Sequence, residues 1–426
     1  MTKTIKYITD KPWFLFFIIA FIFGGLMLFI TPPNGVADEN GHVLRACETA
    51  DGILYNKIPS ESTKYDKLFD FLPPREENTF HYMSGYSPVM YMASAAGIKI
   101  GSILTGNGLF IFYLCRFLNL IVYIMLSAFA IKITPVFKYH FLFIALLPMA
   151  LFEGMSFSAD SFNNGFAFLF FAFIFKLIFD KEEITKKDYI ILFIFSIIGA
   201  FCKGLIYPLL LFFFLPKFSY DFKYKNKYIY ILPVIIFSLF ICFFWHHINN
   251  VVLNPDLSEY NRADIIFSKP LDVLYIIFNT TILSLKKYIF GIIGIFGNPA
   301  GIYLPSAMYT GCIYIFFLSL IILGEQIKLK YRLVALLIFI IFYISVLYMM
   351  LINWTGINAN EIIGVQGRYF IPAIPFLFLS LSFHISKISE KYKIYFKLFL
   401  LLFVIYLLIL SNIILYNYYH ILGINA

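Results

Sequence analysis

Charge is what this chain has least of. Asp, Glu, Lys and Arg make up 13% of its 426 residues, against about 25% in soluble domains, which excludes an ordinary soluble globule. Cysteine is scarce as well. Cys47, Cys115, Cys202, Cys242 and Cys312 form an odd, scattered set that reads as small core residues rather than a disulfide framework, with only Cys47 expected in an exposed loop. The signatures of nucleotide and hydrolase chemistry are missing: no Walker loop, no glycine run beside a strand, no HExxH and no GxSxG. Their absence disfavours a cytoplasmic nucleotide-sugar site and favours a donor that arrives already in the membrane. No basic and aromatic module for nucleic acid occurs. His246-His247 are adjacent and diverge on a helix, so no metal spacing is read there. With no linker, fixed-period repeat or low-complexity tract, residues 1–426 read as one domain.

What the chain has is apolar surface: 61% hydrophobic and 20% aromatic residues. Runs near the length that a bilayer about 30 Å thick demands recur near 13–31, 109–131, 141–156, 161–179, 189–202, 204–216, 228–246, 304–323, 333–352, 369–386 and 398–417. The fold class expected is therefore an all-α polytopic membrane protein of about eleven transmembrane helices. Basic clusters at Lys3/Lys6/Lys11, Lys132/Lys138, Lys181/Lys186/Lys187, Lys217 to Lys227, Lys328/Lys330/Arg332 and Lys387 to Lys397 then all fall inside, as the positive-inside rule requires. This topology puts the N-terminus in the cytoplasm and the C-terminus outside, and it accounts for most of the net charge of +9. Two long outer loops follow, about 32–108 and 247–303. The apolar segment 88–106 is expected to lie flat on the outer surface as an interfacial helix. Segment 271–296, interrupted by Lys286-Lys287, is expected as a re-entrant or surface-lying hairpin.

The ionisable residues of the apolar regions share one side of this map. Asp38, Glu39 and His42 follow the first span, Arg116 opens the second, and Glu153 and Asp160 bracket the outer end of the third. Lys203 marks the tip between the fifth and sixth, and Gln366-Gly367-Arg368-Tyr369 leads into the tenth. Ionisable groups at membrane depth cost several kcal/mol unless paired or functional, and default to functional-site candidates. Each also has a bland reading. Asp38 and Glu39 read equally as solvated turn acids, and His42 as a satisfied surface histidine. Glu153 fits a structural partner of Arg116, Asp160 a helix cap, Lys203 a snorkelling side chain and Arg368-Tyr369 an interfacial anchor.

In order and side, Asp38-Glu39-x-x-His42, Pro88-Val89-x-Tyr91, Arg116-Phe117-x-Asn119, Asp160 and Lys203-Gly204 resemble the GT-C superfamily of membrane glycosyltransferases. Within it, Pro33-x-x-x-x-Asp38-Glu39-x-x-His42-x-x-Arg45-Ala46, Leu147-Pro148-Met149, Gly291-x-x-Gly294 and Gly364-Val365-Gln366-Gly367-Arg368-Tyr369-Phe370 resemble a bacterial family of predicted membrane proteins of unknown function. Phage-type O-antigen serotype-converting glucosyltransferases are similar in size and layout. One departure is that the chain ends soon after the eleventh span, with no large C-terminal outer domain.

The resemblance implies a GT-C-like bundle in a bacterial inner membrane. It also implies an inverting transferase that moves sugar from a polyprenyl-phosphate donor to a cell-surface glycan acceptor. Asp38 would be the base, with Glu39 second choice. Lys203, Arg368, Arg116 and His42 would meet the donor phosphate, and Arg45, Glu153, Asp160, Tyr369 and Gln366 would support them. No cofactor is expected. Mg²⁺ or Mn²⁺ on Asp38, Glu39 and Asp160 is a minority reading. A lipid-linked sugar flippase and an O-antigen polymerase-like protein are the alternatives; the flippase would need paired discontinuous helices near the midplane.

Overall fold

The computed structural model describes residues 9–54, 65–72, 83–180, 184–203, 205–218, 231–250, 269–298, 301–356, 359–382 and 388–423. It is a helical bundle with one short strand pair, and local chemistry sets where its helices start and stop. Helix α1 (Pro12–Ile30) begins on a proline at its first turn and stops before Pro32-Pro33, since proline at the start costs no hydrogen bond and afterwards forbids continuation. Helix α2 (Glu39–Ala50) follows at once. Helix α3 (Met92–Leu104) turns through Thr105–Asn107 into α4 (Gly108–Ile133), whose first turn is capped by the Asn107 carboxamide accepting from the Phe110 amide.

Segment 88–106 does not lie flat across the end of the bundle. Helix α3 runs antiparallel against α4, and a Cβ at Gly97 would stand 2.9 Å from the Cα of Cys115. The small-residue face Ser94, Gly97 and Gly101 lets the two backbones meet, and Asn119 bonds Ser94. Amphipathicity gave way here to close packing.

The expected third span is broken. Helices α5 (Lys138–Ala145) and α6 (Pro148–Gly154) meet at Leu146-Leu147, because Pro148 drives Leu147 to extended backbone at ψ 138°. Helix α7 (Ala159–Phe175) is buried almost throughout and packs along α4, forming the centre of the bundle. Helix α8 (Lys186–Ala200) opens on a capping box between Thr185 and Asp188. Then come α9 (Ile206–Leu211) and α10 (Ile231–Asn250).

Helix α11 (Pro270–Gly294) passes unbroken through Lys286-Lys287 and ends in a two-residue antiparallel pair, β1 (Ile295–Phe296) with β2 (Ile302–Tyr303). The expected hairpin is thus one continuous helix. Its length and composition suffice to cross a membrane, yet its first half stays with residues 360–362. The Ile362 amide donates to Thr280 Oγ1 at 2.8 Å, and Asn279 Nδ2 donates to the Asn360 carbonyl at 3.0 Å. The chain closes with α12 (Ser306–Ile322), α13 (Leu329–Trp354), a 3₁₀ turn (Gly367–Ala373) running into α14 (Ile374–Ser380), and α15 (Glu390–Tyr416).

Six of the described helices are long and apolar enough to cross a membrane: Pro12–Ile30, Gly108–Ile133, Ala159–Asp180, Pro270–Gly294, Leu329–Trp354 and Glu390–Ile421. Expected spans 141–156, 204–216 and 369–386 consist of shorter pieces, the first of them divided at Pro148. Large apolar side chains exposed on α1, α10, α11, α13 and α15 suit a lipid surround and would be aggregation-prone in water. Cys47 is fully buried in α2 rather than exposed in a loop, and the five cysteines are free.

One contact fixes the 3₁₀ turn. A Cβ at Gly367 would lie 2.1 Å from the Tyr288 carbonyl oxygen and 2.8 Å from Gly291 Cα, so the two glycines let α11 and the turn touch through backbone. Gly367→Ala should therefore lose at least the 1–3 kcal/mol typical of overpacking, about that range, seen as a lower thermal midpoint in detergent. Gly25→Ala, where an added Cβ meets nothing within 4 Å, should leave the midpoint in place. Equal midpoints for the two variants would refute the contact.

Candidate functional site

Five segments bring ionisable groups together at one end of the bundle. The Arg368 guanidinium, 3% exposed, comes from the 3₁₀ turn and reaches three carboxylates. Its Nη1 donates to Glu153 Oε1 of α6 at 2.5 Å, and its Nη2 to Asp38 Oδ2 of the loop after α1 at 3.3 Å. Its Nε stands 3.9 Å from Asp160 Oδ2 of α7. Lys203, just after α8, donates to Asp160 Oδ1 at 3.0 Å. The Lys203 ammonium also lies 4.5 Å from the Tyr369 ring centroid and 5.3 Å from that of Tyr86, within cation–π range. Burial alone would lower the Lys203 pKa; Asp160 first, then Tyr86 and Tyr369, more than reverse this and raise it.

Asp38 is the one exposed acid of this group, with 47% of its side chain open. Its backbone sits in the left-handed region at φ 63°, ψ 15°, strain on the order of 1–3 kcal/mol for a non-glycine residue. Asn34 shares that conformation at φ 65°, and its carboxamide oxygen accepts from Asn298 Nδ2 at 3.1 Å. The Tyr419 hydroxyl donates to the Gly35 carbonyl at 2.8 Å. The Asp38 loop is thus pinned from the strand pair and from the C-terminal helix.

The other expected site residues sort differently. Arg116 does not pair with Glu153. Fully buried, it donates to both Glu39 oxygens, at 2.9 and 2.6 Å, and to the carbonyls of Thr31 and Pro32. That pairing leaves Arg116 no fork for a phosphate and leaves Glu39, 0% exposed, no opening for an acceptor. Arg45 is buried too, donating to Glu48 and to the carbonyls of Tyr86, Ile53 and Leu54. Asp160 is not the cap of α7, since Ser158 Oγ accepts from the Asp160 amide and takes that place.

His42 shares a 2.7 Å hydrogen bond through Nδ1 with the Tyr91 hydroxyl and stacks on Tyr86. Burial, then the charges of Lys203 and Arg368, lower its pKa to about 3, so at neutral pH it is an uncharged ring and no phosphate clamp. Gln366 lends its backbone carbonyl to the Tyr369 amide.

The minority metal reading does not fit. Glu39 is turned onto Arg116, Asp38 and Asp160 share a guanidinium, and among the described residues no three of His, Cys, Asp and Glu stand as ligands for one ion. Sequence reasoning passed over Asn164, whose amide is fully buried and unpartnered among the described residues. Its place four residues after Asp160, on the same helical face, is the signal that was there to find.

Fold and site together define a multi-pass helical membrane protein with a buried ion cluster at one end. The family model described as predicted membrane protein (DUF2142) matches residues 72–377, and the chain belongs to that family. Glu153, Asp160, Lys203 and Arg368 lie within the matched stretch; Asp38, Glu39 and His42 precede it. No curated protein and no solved structure matches the chain.

Two outcomes are expected. Arg368→Gln leaves Glu153 buried without its partner and should cost about 3–5 kcal/mol of stability; adding Glu153→Gln should recover much of that loss. A double-mutant cycle by denaturant unfolding reads this, and additive losses would contradict it. For His42 the folded pKa is depressed, so the unfolded chain binds the extra proton. Stability should fall as pH drops from about 6.5 toward about 3, more steeply in wild type than in His42→Gln.

Proposed function

We propose that the protein is an inverting glycosyltransferase that moves a sugar from a polyprenyl-phosphate donor to a cell-surface glycan, at the outer face of a bacterial cytoplasmic membrane. One observation carries the reading: an exposed carboxylate, Asp38, is held in strained backbone by a buried arginine amid otherwise buried charge. Backbone strain clusters at functional sites, and a base must be open to the hydroxyl whose proton it takes. Asp38 takes the proton of the acceptor hydroxyl as that oxygen bonds to the anomeric carbon. The carbon–phosphate oxygen bond breaks, and polyprenyl phosphate leaves. Lys203, 23% exposed between two tyrosine faces, meets the phosphate charge as it grows. Arg368 orients Asp38, and Glu153 and Asp160 hold Arg368 in turn. Arg116, Arg45 and Glu39 keep the loop in shape.

A second reading has its own observation. Glu153 and Arg368 sit on two broken elements, α5/α6 and the 3₁₀ turn with α14, and discontinuous helices meeting at charged groups also serve carriers. A lipid-linked sugar flippase would use them without an acceptor.

Purified wild type and Asp38→Asn, given a labelled polyprenyl-phosphate sugar and candidate glycans, separate these readings. Transfer should fall by about 10²–10⁴-fold in the variant, the usual share of a general base. Undiminished transfer would remove Asp38 as base. Translocation of the labelled lipid across vesicles without acceptor, with no transfer, would favour the carrier.

A further inference from the structure

The ion cluster has no positive charge in excess, and Lys203, which meets the leaving phosphate in the proposed transfer, is already paired with Asp160. Asp38, Glu153 and Asp160 face Arg368 and Lys203, three negative groups against two positive. A lipid phosphate approaching that cluster meets an exposed carboxylate first. Its charge needs another partner, and α11 carries one. Lys286 and Lys287 are both exposed, and among the described residues neither forms an ion pair. The carbonyl of Tyr288, next in the chain after Lys287, lies against Gly367, so the lysine pair sits in the stretch of α11 that touches the 3₁₀ turn carrying Arg368. The Lys286 ammonium rests 5.5 Å from the Phe290 ring, which stacks on Tyr309 at 3.8 Å. Phe278, Ile282, Leu283 and Leu285, on the same helix, expose large apolar side chains. Cations beside an uncovered apolar face match a molecule that is a hydrocarbon chain ending in phosphate.

We infer that Lys286 and Lys287 receive the phosphate of the polyprenyl donor and hand its sugar end toward Asp38. This rests on the donor class proposed above. Gly291 and Gly367 keep α11 against the 3₁₀ turn, since a bulkier residue at either would push the two apart.

Binding, read apart from transfer, tests it. Full-length wild type, Lys286→Gln/Lys287→Gln and Asp38→Asn are titrated in detergent with a fluorescent polyprenyl phosphate. Unlabelled polyprenyl phosphate, inorganic phosphate and phosphatidylglycerol serve as competitors. The double lysine variant should bind about 10- to 30-fold more weakly at unchanged thermal midpoint, from roughly 1 kcal/mol per lysine. Asp38→Asn should bind at least as tightly as wild type, because it removes the carboxylate that the phosphate meets first. Unlabelled polyprenyl phosphate should displace the probe, and inorganic phosphate at equal concentration should not. Equal affinity in the double variant overturns the inference and leaves the transferase reading standing. Displacement by phosphatidylglycerol as good as by polyprenyl phosphate overturns it too, by reducing the pair to a contact for any acidic lipid. Tight, lysine-dependent binding without transfer would instead sink the transferase reading alone.

Discussion

A single guanidinium, buried and shared among three carboxylates, sets the arrangement of the site end. Arg368 joins the loop after α1, the broken helix α6 and the central helix α7 to a 3₁₀ turn 215 residues beyond Glu153 and 330 beyond Asp38. In an apolar interior such a group is tolerated only with its partners in place, because its attraction to each is strong and its loss leaves charge without water. The fork geometry of arginine matters here: two differently directed N–H groups bond Glu153 and Asp38 while the charge faces Asp160 at 3.9 Å, where a lysine would offer one point charge. The packing of four segments is thereby made to depend on one side chain.

The breaks in the helices follow from the same requirement. A continuous helix through 138–154 would keep Glu153 on its own cylinder; Pro148 ends one helix and starts another, so α6 is free to aim its acid at the turn. The 3₁₀ turn lies against α11 only because neither Gly291 nor Gly367 has a side chain. Around this centre stand two closed pairs, Arg116 with Glu39 and Arg45 with Glu48. Each arginine is completed by backbone carbonyls and has no part in the shared network. They fix the Asp38 loop and α2 as a frame.

That charged residues would gather at one end was legible, because ionisable groups in so apolar a chain have few places to be. Asp38, Glu153, Asp160, Lys203 and Arg368 do meet. Which acid meets which base was not legible. Glu153, expected beside Arg116, pairs with Arg368 instead, and Arg116 takes Glu39, since pairing turns on helix rotation and on the break at Pro148, neither of which hydropathy reports. The same limit explains α3: Ser94, Gly97 and Gly101 spell a close helix contact, but composition alone reads the segment as interfacial. Cys47 was misplaced because a loop by hydropathy proved to be a packed helix. The pieces within expected spans 141–156 and 369–386 were marked by prolines, and apolar length outweighed them.

The exposed acid is what separates this cluster from a purely structural one. A network built only to hold helices together gains nothing from a carboxylate in left-handed backbone, 47% open, when a glycine would fit that conformation without strain. Nor does it need that carboxylate for neutrality: Glu153 and Asp160 already match Arg368 and Lys203 in number. Asp38 is the surplus charge, and Arg368 holds it at the boundary between the buried network and the outside. A surplus negative group beside compensated cations is poorly suited to drawing in an anion and well suited to taking a proton. For the proposed donor, first capture would fall to cations that carry no carboxylate, and on the helix touching Gly367 these are Lys286 and Lys287. On the proposed reading, counting charges divides the labour: proton removal by Asp38 at the open edge of the cluster, first reception of the donor phosphate on the neighbouring helix, and Lys203 beside the bond that breaks.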